Sequence, residues 1–228
     1  PMSEAEIESV IAAYGEAAAD ARRLGFDGVE IHGAHGYLID QFFWEGTNLR
    51  SDRYGGDMIA RTRFAAEVIK ACRSKVGPDF PIVFRFSQWK QQDYKARLAG
   101  TPELLGKFLT PLADAGVDIF HCSTRRFWEP EFEGSPFNLA GWTKKLIGKP
   151  VITVGSVSLD TDMFAAFRGQ AAAITSIDKL IEMIARDEVD LVAVGRALLV
   201  DPAWAVKVHD NRMQELLPFT PEALRSLS

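Results

Sequence analysis

The sequence predicts an α/β fold on a parallel sheet, of the (β/α)8 barrel type. Three observations predict it. Amphipathic helical stretches alternate with short apolar strands throughout the chain, the pattern of right-handed βαβ units. A helix-to-strand phrase containing an aspartate recurs at Gly25-Phe26-Asp27-Gly28-Val29, Gly116-Val117-Asp118-Ile119-Phe120 and Val189-Asp190-Leu191-Val192. Glycine turns follow the last two strands, at Gly155-Ser156 and Gly195-Arg196, where barrels often hold phosphate. An open dinucleotide fold would instead place three spaced glycines after its first strand. Gly33-Ala34-His35-Gly36 does not do that.

Ser3-Glu4-Ala5-Glu6 is a capping box that starts a helix. Ile7, Val10, Ile11, Tyr14, Ala17, Ala18 and Ala21 recur at helical spacing, and Gly25 ends the run. Residues 29–32 form a short buried strand, followed by a polar, glycine-bearing loop through Gly56. Phe64, Ala65, Val68, Ile69 and Cys72 share one face of the next helix, which stops near Gly77-Pro78. Residues 81–86 are a strand. Thr101 caps a helix with Pro102 at its first position. That helix runs to Gly116, with a kink or early break expected at Pro111. Residues 117–122, 151–154 and 191–194 are the remaining strands, and 158–167 and 177–185 are helical. A helix near Pro202 and a short one after Pro221 follow. No linker or low-complexity stretch divides the 228 residues, so a single domain over 1–228 is expected. An intact barrel needs roughly 250 residues.

Composition excludes several classes. Apolar residues make up 47% of the chain, enough for a sizeable core. A net charge of -5 with no basic stripe argues against a nucleic-acid partner. No apolar stretch reaches membrane-spanning length, and no basic-then-apolar export signal opens the chain. Cys72 and Cys122 lack metal-ligand spacing and read as reduced thiols of a cytoplasmic protein.

His32 and His35 are the sharpest chemical feature. His32 ends a strand, where barrel active sites are built, and His35 follows in the turn. Two imidazoles this close can offer N–H donors to one substrate oxygen and stabilise charge developing on a carbonyl. A core histidine beside a loop histidine is the alternative. A metal site would need a third ligand from His121 or Cys122, and no metal is expected. Tyr37 can donate a proton in a dry site, or pack with its hydroxyl at the surface. Arg85 ends an apolar run and needs an anionic ligand, or a carboxylate such as Glu30. Gly155, Ser156, Gly195 and Arg196 can hold phosphate through backbone N–H groups and a fixed guanidinium. Arg125 and Arg126, beside Phe127 and Trp128, are either a solvated loop or the wall of a substrate pocket.

The block from Gly25 to Leu38, GFDGVEIHGAHGYL, resembles the Old Yellow Enzyme family of flavin oxidoreductases. The resemblance continues through Gln41-Phe42, through Thr47-Asn48-Leu49-Arg50-Ser51-Asp52-Arg53-Tyr54-Gly55-Gly56 and through Arg61-Thr62-Arg63-Phe64. Arg85, Gly155-Ser156, Gly195-Arg196-Ala197-Leu198 and Asp201-Pro202 fall in family order. The resemblance implies a barrel that binds FMN at its C-terminal strand ends. NADH or NADPH would reduce the flavin, which would pass hydride to the β-carbon of an activated alkene, a small-molecule substrate. It implies that His32 and His35 bind the substrate carbonyl oxygen and that Tyr37 supplies the proton to the α-carbon. Arg85 would sit at the flavin's pyrimidine edge, and Gly155, Ser156, Gly195 and Arg196 at its phosphate. A histidine pair, rather than histidine with asparagine, is an accepted variant of the family.

The departures concern extent and one loop. The family has three further strands before the first helix seen here, so the five strand candidates correspond to strands four to eight. The expected form is a TIM (β/α)8-type barrel truncated to its last five strands. Five strands cannot close such a barrel, and open edges expose backbone and apolar faces. A homo-oligomer or a complementing N-terminal segment is the partner this implies. An inactive assembly partner, and a flavin-free barrel enzyme on a phosphorylated substrate, are the competing expectations. Asp57 stands where the family often has serine, and Ile59-Ala60 replaces an acidic–asparagine pair.

Overall fold

The Ser3 hydroxyl accepts the Glu6 amide while the Glu6 carboxylate takes the Ser3 amide at 2.7 Å, so the chain enters its first helix through the expected capping box. The computed structural model describes residues 1–225. Helix α1 (Glu4–Arg23) leads to β1 (Val29–His35), α2 (Leu38–Phe43), α3 (Met58–Arg61) and α4 (Arg63–Val76). Then come β2 (Ile82–Lys90), α5 (Pro102–Ala115), β3 (Ile119–Ser123), α6 (Leu139–Ile147) and β4 (Val151–Val154). The rest is α7 (Met163–Phe167), α8 (Asp178–Ala185), β5 (Leu191–Ala193), α9 (Arg196–Val200) and α10 (Trp204–His209). Two 3-10 turns follow, at Met213–Glu215 and Pro221–Leu224.

The five strands pair in chain order, β1 to β5, and every pairing is parallel. This is the predicted α/β arrangement, seen here as an open sheet with β1 and β5 at its edges. Register decides what each face does, because successive residues of a strand point to opposite sides. Ile31, Phe84, Phe120 and Val151 lie side by side, all buried. Their face meets the helices: the Phe43 ring of α2 stands 6.2 Å from Phe84 and 4.8 Å from Phe108 of α5. One residue further along, His32, Arg85 and His121 form the next row, on the opposite face.

Several boundaries differ from the sequence expectation. β2 runs on to Lys90 and β1 to His35, with a register irregularity between Gly33 and His35. Helix α5 continues past Pro111 to Ala115 without a break. Pro111 lies near the helix end, where one lost ladder bond is tolerated. Helix α7 begins at Met163 rather than at 158, because Asp162 caps it through the amides of Phe164 and Ala165. Ser158 ahead of it has a left-handed backbone, φ 57. Helices α2 and α6 lie in stretches whose polar, glycine and proline content reads as loop. Asn138 starts α6 by accepting the Gly141 amide and anchors it to Phe127 and Thr153. Asp57 does the capping work of the serine it replaces, accepting the Ala60 amide at 2.8 Å.

Helix α2 is held by a buried ion pair. Lys90 Nζ, at the end of β2, donates to Asp40 at 2.6 Å, and both side chains are fully buried. Asp40 also accepts the Gly36 amide at 2.7 Å. Burial pushes the Asp40 carboxyl up and the Lys90 ammonium down, and each partner opposes the shift of the other. We predict that Lys90→Met destabilises the fold by about 3–5 kcal/mol, because it strands a buried carboxylate. Replacing both partners by apolar residues should recover most of that loss. Urea unfolding of the single and double variants measures this, and a loss below about 1 kcal/mol in the single variant would refute it.

Candidate active site

His32 and His35 come together. Their ring centroids are 5.2 Å apart at 65°, and the Tyr37 ring is 5.3 Å from His32. His35 is the better held. Its ring stacks on Trp89 at 4.4 Å and 21°. Its Nε2 lies 2.7 Å from Ser123 Oγ, and its amide donates to Ser87 Oγ at 3.0 Å. Its backbone is left-handed, φ 65. Strands β2 and β3 thus fix an imidazole that belongs to β1.

Burial drives the His35 pKa down to about 3, helped by the Arg85 charge nearby. His32 shifts the same way for the same two reasons. Both rings are therefore neutral near pH 7, each with one N–H to donate. The Arg85 guanidinium lies beside them, half-buried, with Nε buried and unpartnered and Nη2 only 3.4 Å from Ser123 Oγ. Glu30 does not neutralise it directly. That carboxylate bonds His121 Nδ1 at 2.7 Å. Burial raises its pKa, but the His121 hydrogen bond and the nearby Arg85 charge hold it below the usual value.

The two glycine turns meet this group in one cavity of about 150 Å³. His35, Arg85, Gly155, Ser156, Gly195 and Arg196 all line it. Gly155 has φ 140, and a Cβ there would lie 2.7 Å from the Thr124 carbonyl oxygen. Only glycine fits, on both counts. Arg196 Nη2 donates to the Thr161 carbonyl and lies 3.3 Å from Ser156 Oγ, while Nη1 is buried without a partner. Helix α9 has only five residues, so the guanidinium and the turn amides, not a helix terminus, are the groups this end can offer an anion.

His32 and Tyr37 do not line the cavity. They reach it through His35. Tyr37 is 52% exposed, in keeping with the surface alternative and not with a dry interior. His121 and Cys122 point to opposite faces, the first to Glu30 and the second to Thr143. Among the described residues no three histidine, cysteine, aspartate or glutamate side chains converge as a metal site. No described helix is long and apolar enough to cross a membrane.

Sequence reasoning missed Trp89, Ser87 and Ser123, the groups that hold His35. A signal was present in residues 83–89, where Val83, Arg85, Ser87 and Trp89 alternate with Phe84 and Phe86 and extend the strand beyond the apolar run.

The fold and site define a parallel α/β scaffold with paired neutral imidazoles near a cavity that two glycine turns and two arginines line. The chain belongs to the NADH:flavin oxidoreductase / NADH oxidase family, whose model matches residues 1–215. It is 37% identical over 219 residues to an NADH oxidase of Thermoanaerobacter brockii, covering 92% of this chain and 30% of that protein. It is 34% identical to 12-oxophytodienoate reductase 2 of Arabidopsis thaliana, covering 88% and 48%. Among solved structures it resembles morphinone reductase in complex with tetrahydroNAD, with a TM-score of 0.73 at 22% identity, covering 97% and 53%. The chain spans about half or less of the length of the curated relatives it matches.

The histidine shift implies a pH dependence of stability. The folded state disfavours protonated His35, whereas the unfolded chain takes up that proton below about pH 6.5. Stability from this group is full above that pH and is lost as pH falls toward about 3. His35→Asn should therefore lose stability less steeply with acidification, as read from urea midpoints at successive pH values. Parallel slopes would show that His35 is not buried in its neutral form.

Proposed function

We propose that this chain carries the substrate- and phosphate-binding part of an FMN-dependent NAD(P)H oxidoreductase of the ene-reductase type. Its substrates would be α,β-unsaturated carbonyl compounds with an activated C=C bond. The observation that carries this reading is the single cavity joining His35 and Arg85 to Gly155, Ser156, Gly195 and Arg196.

The residues present fit FMN. Two buried guanidinium nitrogens, Arg85 Nε and Arg196 Nη1, lack partners, and both side chains line the cavity that Gly155, Ser156 and Gly195 also line. Arg196, Gly195, Gly155 and Ser156 would hold the phosphate, and Arg85 would balance negative charge on the ring. When bound, the flavin supplies hydride transfer from NADH or NADPH to the alkene. His32 and His35 donate N–H groups to the substrate's carbonyl oxygen and draw electron density from its β-carbon. Their neutrality matters, because a neutral donor polarises the oxygen without adding a cation beside Arg85. Tyr37, exposed and next to His32, delivers the proton to the α-carbon.

We further read the chain as one partial domain whose five strands are the last five of an eight-stranded barrel. The sequential parallel order and the 53% coverage of morphinone reductase support this. A second copy or a complementing N-terminal segment would cover edge residues such as Leu191, which is 51% exposed.

FMN titration tests the reading. The chain should bind FMN, and Arg196→Ala should weaken binding by about tenfold or more. The FMN complex should bleach under NADPH without oxygen. His32→Ala should weaken the charge-transfer band that a phenol gives with the bound flavin. A chain that takes no FMN would support an inactive assembly partner, and sugar-phosphate binding without flavin affinity would support a flavin-free enzyme.

A further inference from the structure

A second cavity, of about 350 Å³, adjoins the first and shares Trp89, Ser123, Thr124 and Arg125 with it. Four cations border it: Lys95, Arg97, Arg125 and Arg126. Two are matched by acids. Arg97 pairs with Glu131 at 2.5 Å, and Arg126 pairs with Glu129 and Asp162, each at 3.0 Å. Lys95 and Arg125 have no acidic partner among the described residues.

Arg125 is the more informative of the two. It is half-buried, and its guanidinium lies 5.7 Å from the Tyr94 ring centroid. A cation–π contact of this kind uses none of the guanidinium N–H donors in a hydrogen bond. The backbone beneath is anchored, because the Arg125 carbonyl accepts Ser156 Oγ at 2.9 Å. A partly desolvated guanidinium with free N–H donors favours an oxyanion bound in bidentate fashion. Trp89 and Tyr94, with ring centroids 5.8 Å apart and planes at 36°, supply an aromatic wall. Trp89 also stacks on His35, so one indole borders both the imidazoles and the cationic cleft.

We propose that this second cavity is an anion subsite. In it Arg125, with Lys95 at the rim, holds a carboxylate or phosphate group of the molecule whose reactive end reaches His32 and His35. The proposal rests on the first cavity being the active site. The group can come from a substrate that is an unsaturated carboxylic acid, or from the diphosphate of the reducing dinucleotide.

Calorimetric titration of the FMN-saturated chain separates these sources, using benzoate, its neutral isostere benzamide, and inorganic pyrophosphate as probes. Arg125→Ala should weaken anion binding by about tenfold or more and leave benzamide unchanged, while Arg125→Lys keeps part of the affinity. A loss confined to benzoate assigns the site to a substrate carboxylate, and one confined to pyrophosphate assigns it to the dinucleotide. Unchanged anion affinity in Arg125→Ala overturns the proposal, as does a parallel loss for benzamide. So does a variant whose only defect is weaker FMN binding, since Arg125 would then serve the cofactor. A wild-type chain that binds neither anion overturns it too. If the chain takes no FMN, the flavoenzyme reading fails on its own, and the same titrations without FMN still judge Arg125.

Discussion

The Lys90–Asp40 pair is the constraint on which the site depends. It joins residues 50 positions apart, with neither side chain touching water. A buried pair of this kind adds little net stability, yet neither member can leave alone. Its effect is geometric. Asp40 grips the Gly36 amide just after His35, and Lys90 follows Trp89 on β2. The pair thereby sets the turn that carries one imidazole against the indole on which that imidazole stacks.

The electrostatics of the row His32–Arg85–His121 follow from the same crowding. Three nitrogenous side chains lie side by side on one face, with Glu30 as their nearby carboxylate. Burial and the neighbouring Arg85 charge keep both His32 and His35 from charging. Glu30 is committed to His121, so Arg85 keeps its charge but has no direct carboxylate bond. The cavity is therefore lined by Arg85, Arg125 and Arg196, with the neutral His35 among them.

Much of this was legible in the sequence, for identifiable reasons. The strand cores at 29–32, 82–86 and 151–154 are short apolar runs bounded by glycine, proline or aspartate, so periodicity and punctuation agree there. His35, Arg85, Gly155, Ser156, Gly195 and Arg196 were readable because strand ends and the turns after them gather on one side of a parallel sheet. Helices α2 and α6 were not readable. Each is short and held chiefly by tertiary bonds, from Lys90 to Asp40 and from Asn138 to Phe127 and Thr153. The exposure of Tyr37 was hidden for a related reason. Its place in the chain shows that it neighbours His32, but solvent access depends on what packs over α2. The second cavity was equally hidden, because it gathers residues from 88–97 and 123–139, and one of the acids that pairs with Arg126 lies 36 residues away.

The twist of the main chain at His35 restricts what evolution can try there. Few side chains other than glycine accept a left-handed backbone without strain. Histidine and asparagine are among those that do so most readily, and each also presents an N–H from a short, planar, polar group. A position that must both turn the chain leftward and offer a hydrogen to an oxygen is left with a two-letter alphabet. The alternation between these residues in the Old Yellow Enzyme family thus has a stereochemical explanation that owes nothing to substrate preference.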